Sequence, residues 1–288
     1  MGKLVNKIDF AVVLSVKSAN PNGDPLNGNR PRETYSGLGE ISDVCLKRKI
    51  RNRLQDMGYE IFVQSDDRRT DKCRSLKERV DSCEELKAAG KNKELFASIA
   101  CSKWIDVRSF GQVFAFGKTD DDSSVSIGIR GPVSLHPAFS VSPIQVTSLQ
   151  ITKSVNAETG KDPDKKGSDT MGMKHRVDFG VYVFYGSIST QLAEKTGFSH
   201  EDGELIKEAL RTLFVNDSSS ARPEGSMEVV KVYWWTHNNE FGQYSAAKVH
   251  RTLKVELVDK SIEPKDISDY NIYTEDLDDL TPEVYDGV

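Results

Sequence analysis

Apolar side chains recur at every second position in the first element that the chain predicts, which covers residues 7–17. Those that share one face are Ile8, Phe10, Val12, Leu14 and Val16. A period of two is that of a β-strand, so this segment predicts a strand that is buried on at least that face. Turn-forming Asn, Gly and Pro residues dominate residues 18–39 and predict a loop of ~20 residues, a length typical of functional or disordered loops.

The hydrophobic period changes to that of an α-helix after this loop. The apolar face of the predicted helix is formed by Leu46, Ile50, Leu54 and Met57. Ser42 and Asp43 supply side-chain oxygens for the first unpaired backbone N–H groups, and Gly58 is predicted to end the helix.

Five of the seven residues from 47 to 53 are basic, and none of them is acidic. At about 100° per residue, Lys47 and Arg51 lie side by side along one flank of the apolar face, and Arg48 lies next to them. A cationic row on a helix whose other side is buried favours a polyanion as partner. The alternative is a solvated surface helix, and the helix by itself leaves both interpretations open.

The middle of the chain predicts a short strand at 59–64, an inserted, charged helical segment, and then a long hairpin-like projection. The projection consists of β-rich residues 145–155, a polar excursion at 156–169, and a return limb that runs into a strand at 177–189. The return limb carries two methionines and three basic residues, Met171, Met173, Lys174, His175 and Arg176. Either these side chains pack on the body, or the methionines form an apolar wedge beside cations, as in proteins that unstack bases.

The last third of the chain completes a repeated pattern. An amphipathic helix at 201–214 follows the strand at 177–189, and further strands are predicted at 227–236 and 249–258. Without the insertions, the order is strand, helix, strand, and then the same again, which is the split βαβ plan of RNA-recognition modules. The sequence therefore predicts an α+β fold, with a modified ferredoxin-like sheet that carries its helices on one face.

Composition narrows the class of protein. The 288 residues are 37% hydrophobic, which is enough for one large domain with insertions. They contain no run of ~18 apolar residues and no signal-peptide core at the start, so we expect a cytoplasmic protein without a membrane partner. The four cysteines have no paired spacing and the five histidines follow no metal-ligand pattern, so neither disulfides, nor a metal, nor a cofactor is expected.

The charge is distributed unevenly along the chain. The overall net charge is −5, but residues 259–288 hold ten acids and two lysines, a net of −8, which leaves +3 on the other 258 residues. A mildly basic body can bind RNA where its positive charge is concentrated. We expect residues 259–288 to be a solvated, partly flexible acidic tail.

Six segments, taken together in their order and spacing, carry a resemblance to a known family. They are residues 20–25 (NPNGDP), 42–51 (SDVCLKRKIR), 106–115 (DVRSFGQVFA), 131–134 (GPVS), 148–155 (SLQITKSV) and 171–180 (MGMKHRVDFG). The chain resembles, over essentially its whole length, the backbone subunit of type I CRISPR surveillance complexes (Cascade), in the RAMP superfamily. It is most similar to subtype I-C.

This resemblance implies a hand-like architecture and an RNA-binding role. The palm would comprise residues 1–64, 103–147 and 177–258, with a helical finger insertion at 65–102, a β-hairpin thumb at 148–176 and the acidic tail at 259–288. Copies of the chain would assemble head to tail along a CRISPR guide RNA, together with other Cascade subunits. Target DNA would be recognised by base pairing with the guide.

The family motifs assign roles to particular side chains. Lys47, Arg48 and Arg51 would hold guide phosphates, which gives sequence-independent and salt-sensitive binding. Met171 and Met173 would be the wedges that displace a guide nucleotide, with Lys174, His175 and Arg176 beside them. The resemblance implies no catalytic role.

Two alternatives belong to other functional classes. Backbone subunits of related type III complexes use an aspartate in the loop after the first strand for metal-dependent RNA cleavage, and Asp24 occupies that loop here. Asp24 lies in an Asn-Gly-Asp-Pro turn, where a turn-forming role explains it, and no second acid stands at a suitable spacing. The other alternative is a generic single-stranded RNA-binding module, which accounts poorly for the projection and the helical insertion.

Overall fold

The computed structural model describes residues 2–115, 126–152, 154–155 and 171–288. These residues form an α+β fold built on an antiparallel sheet, as predicted. The strands are β1 (Ile8–Ala19), β2 (Gly23–Asp24), β3 (Arg30–Pro31), β4 (Leu38–Ile41), β5 (Gly111–Phe114), β6 (Ile127–Arg130), β7 (Val133–Leu135), β8 (Ala138–Pro143), β9 (Val146–Thr152), β10 (Met171–Ile188), β11 (Met227–Thr236), β12 (Leu253–Leu257), β13 (Tyr270–Thr274) and β14 (Glu283–Asp286). The helices are α1 (Asp43–Asp56), α2 (Leu76–Asp81), α3 (Glu84–Ala89), α4 (Lys93–Lys103), α5 (Ile105–Phe110), α6 (Thr190–Thr196), α7 (His200–Arg211) and α8 (Ala246–His250).

The central sheet has the order β14-β11-β1-β10-β8-β4, and β7 and β9 pair with further lengths of β10. The predicted first strand is confirmed as β1, which pairs antiparallel with both β10 and β11. Every residue from Ile8 to Val16 is buried, so β1 is covered on both faces of the sheet. It is the centre around which the sheet is built.

Three hydrophobic clusters stabilise the fold. The largest packs the apolar side of α1, with Leu46 and Ile50, and the apolar side of α7, with Ile206, against one face of the sheet. A second cluster lies under β12, β13 and α8 on the opposite face, so the prediction that the sheet carries its helices on one face is wrong. The third contains the aromatic side chains Phe62, Phe96, Trp104 and Phe114, whose neighbouring ring centroids are 4.7–5.1 Å apart.

The third cluster shows how far the predicted insertion extends in space. Residues 65–102 are helical as expected, since they contain α2, α3 and most of α4. Their core also takes in Trp104, Val107 and Phe114, so packing continues past residue 102. The division into palm, finger and thumb stays a prediction.

The prediction of a strand at 59–64 is wrong, because these residues form no strand. The backbone N–H groups of Phe62 and Val63 donate to the carboxylate of Asp106, at 2.7 and 3.1 Å, instead of to a neighbouring strand. A side chain has therefore replaced the hydrogen-bond ladder that a strand would need.

The prediction of a flexible acidic tail is also wrong. Residues 259–288 contain β13, which pairs with β12, and β14, which pairs with β11 at the edge of the central sheet. Tyr270 and Leu280 are buried, which fixes this segment to the body despite its charge. Charge density alone does not predict disorder when apolar residues are interspersed at a period of two.

No helix within the described residues combines the length and apolarity required to span a bilayer.

Cys45, Cys73, Cys83 and Cys101 are free, in agreement with their unpaired spacing in the sequence.

Candidate nucleic-acid interface

The basic helix is confirmed as α1. The Ser42 hydroxyl accepts from the backbone N–H of Cys45 and caps its N-terminus, as predicted. Gly58 follows its last turn with φ 90°, a conformation that favours glycine, and donates its N–H to the Gln55 carbonyl. The helix is held in place by Leu46, Ile50 and Leu54, which are fully buried.

The cations of α1 are all engaged with groups of the protein. Lys47 pairs with Asp43 at 3.0 Å, and the Arg48 guanidinium donates to the Val63 carbonyl at 2.5 Å. Lys49, which is buried, pairs with Asp217. The helix therefore divides into partly exposed cations, which can exchange a partly exposed partner for a phosphate, and cations that the fold itself uses.

Arg51 belongs to the second group. Its Nε donates to Asp106 Oδ2 at 2.9 Å, its side chain is only 13% exposed, and Asp106 is fully buried. The guanidinium carbon also lies 5.2 Å from the centre of the Phe110 ring. Because one carboxylate binds both Arg51 and the amides of residues 62 and 63, this ion pair ties α1 to α5 and to the segment that precedes the helical insertion. The phosphate-binding role of Lys47, Arg48 and Arg51 stays a prediction.

Arg48 is intermediate between these two groups of cations. Burial, followed by the nearby positive charge of Arg51, lowers its pKa from the ordinary value of a guanidinium. Arginine remains protonated in proteins, so the consequence is a partly desolvated cation. Such a cation gains more from an anionic ligand than a fully solvated one does.

The predicted hairpin is confirmed in its described part. β9 pairs antiparallel with the first residues of β10, in a register that runs from Met171 opposite Thr152 to Val177 opposite Val146. Residue 153 and residues 156–170 of the predicted thumb lie outside the described residues. β10 then continues into the central sheet as one strand of 18 residues, so the hairpin is a direct extension of the sheet.

The register separates the five predicted thumb residues between two faces. Met171, Met173 and His175 lie on one face, because side chains alternate along a strand, and both methionines are more than half exposed. Lys174 and Arg176 lie on the other face. Neither methionine packs on the body, so that interpretation of the two side chains is wrong.

The methionine face has a cation that the sequence did not reveal. Arg30, in β3, donates from Nη1 to Ser148 Oγ at 2.8 Å, and the same hydroxyl lies 2.8 Å from His175 Nδ1. Ser148 is on the strand opposite His175, so Arg30 reaches the base of the hairpin on its methionine side. The pairing of β9 with β10 brings Ser148 to His175, and the Arg30 side chain adds a group from a third, distant part of the sequence.

A cleft beside α1, which we call the Lys47 cleft, collects several other groups. It has a volume of about 520 Å³ and is lined by residues that include Lys7, Lys47, Arg130, Phe110, Phe241 and Gln191. The segment 131–134, one of the family motifs, forms part of its wall. No carboxylate is among the described residues that line it, although Asp9 and Asp43 pair with Lys7 and Lys47 from outside this lining.

A buried network lies behind this cleft. The carboxylate of Asp9, which is fully buried, accepts hydrogen bonds from Lys7 Nζ at 2.6 Å and Ser187 Oγ at 2.6 Å. His237 Nδ1 accepts from the N–H of Gln243, so its Nε2 carries the proton and donates to Asp9 at 2.8 Å. Burial by itself would raise the pKa of Asp9, but the hydrogen bonds from His237, Lys7 and Ser187 together hold it below its usual range.

This network predicts a pH dependence of stability. The pKa of Asp9 is lower in the folded chain than the value of about 3.9 expected when the chain is unfolded. The ionised carboxylate therefore makes its full contribution to the unfolding free energy at pH values above about 3.9. It is lost as the pH falls through the folded-state pKa. We expect the difference in unfolding free energy between wild type and Asp9→Asn to be largest near neutral pH and to narrow below about pH 4. Urea denaturation at several pH values measures it, and a constant difference would contradict this role for Asp9.

Asp24 has the turn-forming role that the sequence predicted. Its side chain accepts from the N–H of Leu26 at 3.1 Å, caps a short 3₁₀ turn and lies 3.5 Å from Arg32. Among the described residues, no group of three or more His, Cys, Asp and Glu side chains is arranged to hold a metal ion.

Comparison with known proteins gives matches over most of the chain. The family model described as CRISPR-associated protein Cas7 matches residues 6–275. A Haloferax volcanii protein named "CRISPR-associated protein Cas7" is 30% identical over 224 residues, which cover 70% of this chain. The chain spans 62% of the length of that relative.

Two solved structures are also similar in part. A chain from "CRISPR RNA-guided surveillance complex, pre-nicking" superposes with a TM-score of 0.47 at 15% identity, covering 83% of each chain. A chain from "CRISPR RNA-guided surveillance complex" gives a TM-score of 0.42 at 16% identity, covering 80% of this chain and 68% of the other. Because both TM-scores are low, neither structure supports an argument about function.

Proposed function

Because the chain belongs to the CRISPR-associated Cas7 family, whose model matches residues 6–275, we propose that it binds CRISPR guide RNA as a backbone subunit of a Cascade-type surveillance complex. The family match is the observation that carries this proposal. The finer form of the proposal is a type I-C complex in which copies of the chain assemble head to tail along the guide and present it to target DNA.

The geometry of the described residues supports an RNA ligand. Arg130 and Lys47 lie in the walls of the Lys47 cleft, Arg130 exposed and Lys47 paired with the partly exposed Asp43, and cations so placed suit a sugar–phosphate backbone. Phosphate contacts carry no sequence information, so a guide with any spacer can be held in the same way. Lys47 and Arg48 are proposed as phosphate ligands because their present partners are a partly exposed carboxylate and a backbone carbonyl.

The hairpin supports a second element of the proposal. Met171 and Met173 present two exposed, unbranched apolar side chains on one face, beside His175 and Arg30. Apolar side chains of this kind can enter between bases and unstack them, while adjacent cations hold the phosphates. We assign the displacement of a guide nucleotide to this face of the hairpin.

Co-purification tests the proposal. The chain is expressed with a CRISPR array transcript, and the purified protein is analysed for its absorbance ratio, particle size and bound RNA. We expect guide RNA in particles larger than one chain. Recovery of an RNA-free single chain from cells that also contain the other subunits would contradict the proposal.

A double substitution of the hairpin methionines tests the displacement. Met171→Ala with Met173→Ala is expected to leave RNA bound. Displaced nucleotides should react at regular intervals when the bound guide is probed chemically, and the double variant is expected to lose this regular pattern. The matched control is Leu149→Ala, since Leu149 is 44% exposed on the opposite face of the same hairpin. An unchanged probing pattern in the double variant would assign displacement to other residues.

A further inference from the structure

An exposed aromatic side chain stands at the rim of the Lys47 cleft. Phe241 lies in the connection between β11 and α8, and 71% of its surface is exposed. A single exposed phenylalanine is unremarkable on a mobile loop, because its position is then undefined. The backbone of this connection, however, is fixed by hydrogen bonds on both sides of Phe241.

Two sets of bonds fix it locally. The N–H groups of Phe241 and Gly242 both donate to Asn239 Oδ1, at 3.0 and 2.8 Å. The Glu240 carbonyl accepts from Thr190 Oγ1 at 2.7 Å, which ties the connection to the start of α6. Gly242 has φ 89°, a region that side-chain-bearing residues rarely adopt, and an added Cβ would come within 2.9 Å of the Lys7 side chain.

The buried network described above fixes the same connection at its base. The N–H of His237 donates to the Lys7 carbonyl at 2.9 Å, and the N–H of Lys7 donates to the Asn239 carbonyl at 3.1 Å. His237 in turn binds the N–H of Gln243 and the carboxylate of Asp9. Phe241 is therefore held on a braced turn next to the start of β1, so stacking on it requires little ordering of the protein.

We propose that the Lys47 cleft is a nucleotide subsite in which Phe241 stacks on one RNA base while Arg130 and Lys47 bind the adjoining phosphates. This inference rests on the proposed function, and it assigns to single-stranded RNA a site that the basic helix alone does not define. A braced, exposed ring beside two cations is the arrangement by which proteins bind single strands without sequence preference.

The charges of the cleft favour this ligand over a protein segment. Arg130, at the end of β6, is exposed, and Lys47 pairs with the partly exposed Asp43. Lys7 is already compensated by Asp9, so it serves to position the turn. Two cations and one exposed ring in the walls of the same cleft match the alternation of phosphate and base along a nucleic acid strand.

A fluorescent base tests the stacking. Single-stranded RNAs of one length carry 2-aminopurine at one of several successive positions, and binding to the full chain is followed by the quenching of its fluorescence. We expect quenching at some positions with wild type and with Phe241→Tyr. Phe241→Leu is expected to lose that quenching and to bind about tenfold more weakly, since one base–aromatic stack is removed.

The control is Phe139→Leu. Phe139 is 40% exposed and lies in a different groove, beside Val255 of β12, so its replacement is expected to leave both quenching and affinity unchanged. If wild type binds RNA and Phe241→Leu shows the same quenching and affinity, the stacking role is overturned while the proposed function stands. If wild type binds no RNA, both are overturned.

The phosphate contact has its own test. Arg130→Gln is expected to make the slope of log affinity against log salt concentration less negative by about 0.7, the loss of one phosphate contact to a single strand. Lys260→Gln, an exposed cation in the connection after β12, is the control with the same charge change and should leave the slope unchanged. Equal slopes for Arg130→Gln and wild type would overturn the assignment of Arg130.

Discussion

An Asp106→Ala variant is expected to lose about 3–5 kcal/mol of unfolding free energy, the largest stability effect that the structure predicts. The substitution leaves Arg51 with little solvent and no carboxylate, and it removes the acceptor for the N–H groups of Phe62 and Val63. Both consequences follow from burial, because an uncompensated charge and unpaired amides are costly only where water is excluded. Urea denaturation followed by tryptophan fluorescence measures the loss.

The control for this variant is Glu84→Ala. It breaks the Lys87–Glu84 pair, whose two side chains are exposed on α3. Such pairs contribute ~1 kcal/mol or less, so this variant should remain close to wild type. Equal stability of the Asp106 and Glu84 variants would contradict the structural role of the buried pair.

A double variant, Lys47→Gln with Arg48→Gln, is expected to produce the largest loss of RNA affinity. A hydrogen bond to a charged group contributes about 1.5–3 kcal/mol, so the loss of two phosphate contacts should weaken binding on the order of 100-fold at low salt. The slope of log affinity against log salt should become less negative by about 1.4. Filter binding with a labelled single-stranded RNA at several salt concentrations gives both quantities.

Arg51 is left out of this variant for a structural reason. The sequence places it in the same cationic row, but its pair with buried Asp106 means that its removal would unfold part of the chain as well as remove charge. Lys91→Gln with Lys93→Gln is the matched control, because both lysines are exposed, one just before α4 and one at its first residue, and the charge change is the same. Equal affinity losses in the two double variants would refute a specific role for α1.

The elements with a strong period were predictable from the sequence. β1 and α1 have regular apolar spacing, and α1 also has a cap and a terminal glycine, so local preferences and burial agree. The hairpin was predictable because a polar excursion separates two β-rich limbs. The pairing of β14 with β11 was not, because the acidic composition of residues 259–288 obscures the short apolar alternation within it.

The candidate site was predictable only in part. Lys47 and Arg48 stand out because their charges are adjacent in sequence. Arg130 and Phe241 have no such neighbours in the sequence, and only the fold places them in the same cleft. Arg51 shows the converse case, in which a residue that the sequence marks as a candidate ligand has a structural partner. A basic residue on the flank of a helix looks the same in sequence whether a ligand or a buried carboxylate such as Asp106 compensates it.

The central claim is that this chain holds single-stranded RNA through its phosphates. The most direct measurement is the affinity of the purified chain for two RNAs of equal length and unrelated sequence, between about 50 and 200 mM salt. The account predicts equal affinities for the two RNAs and a log–log slope that is clearly negative for both. An absence of binding at the lowest salt concentration, or an affinity that does not change with salt, would contradict it.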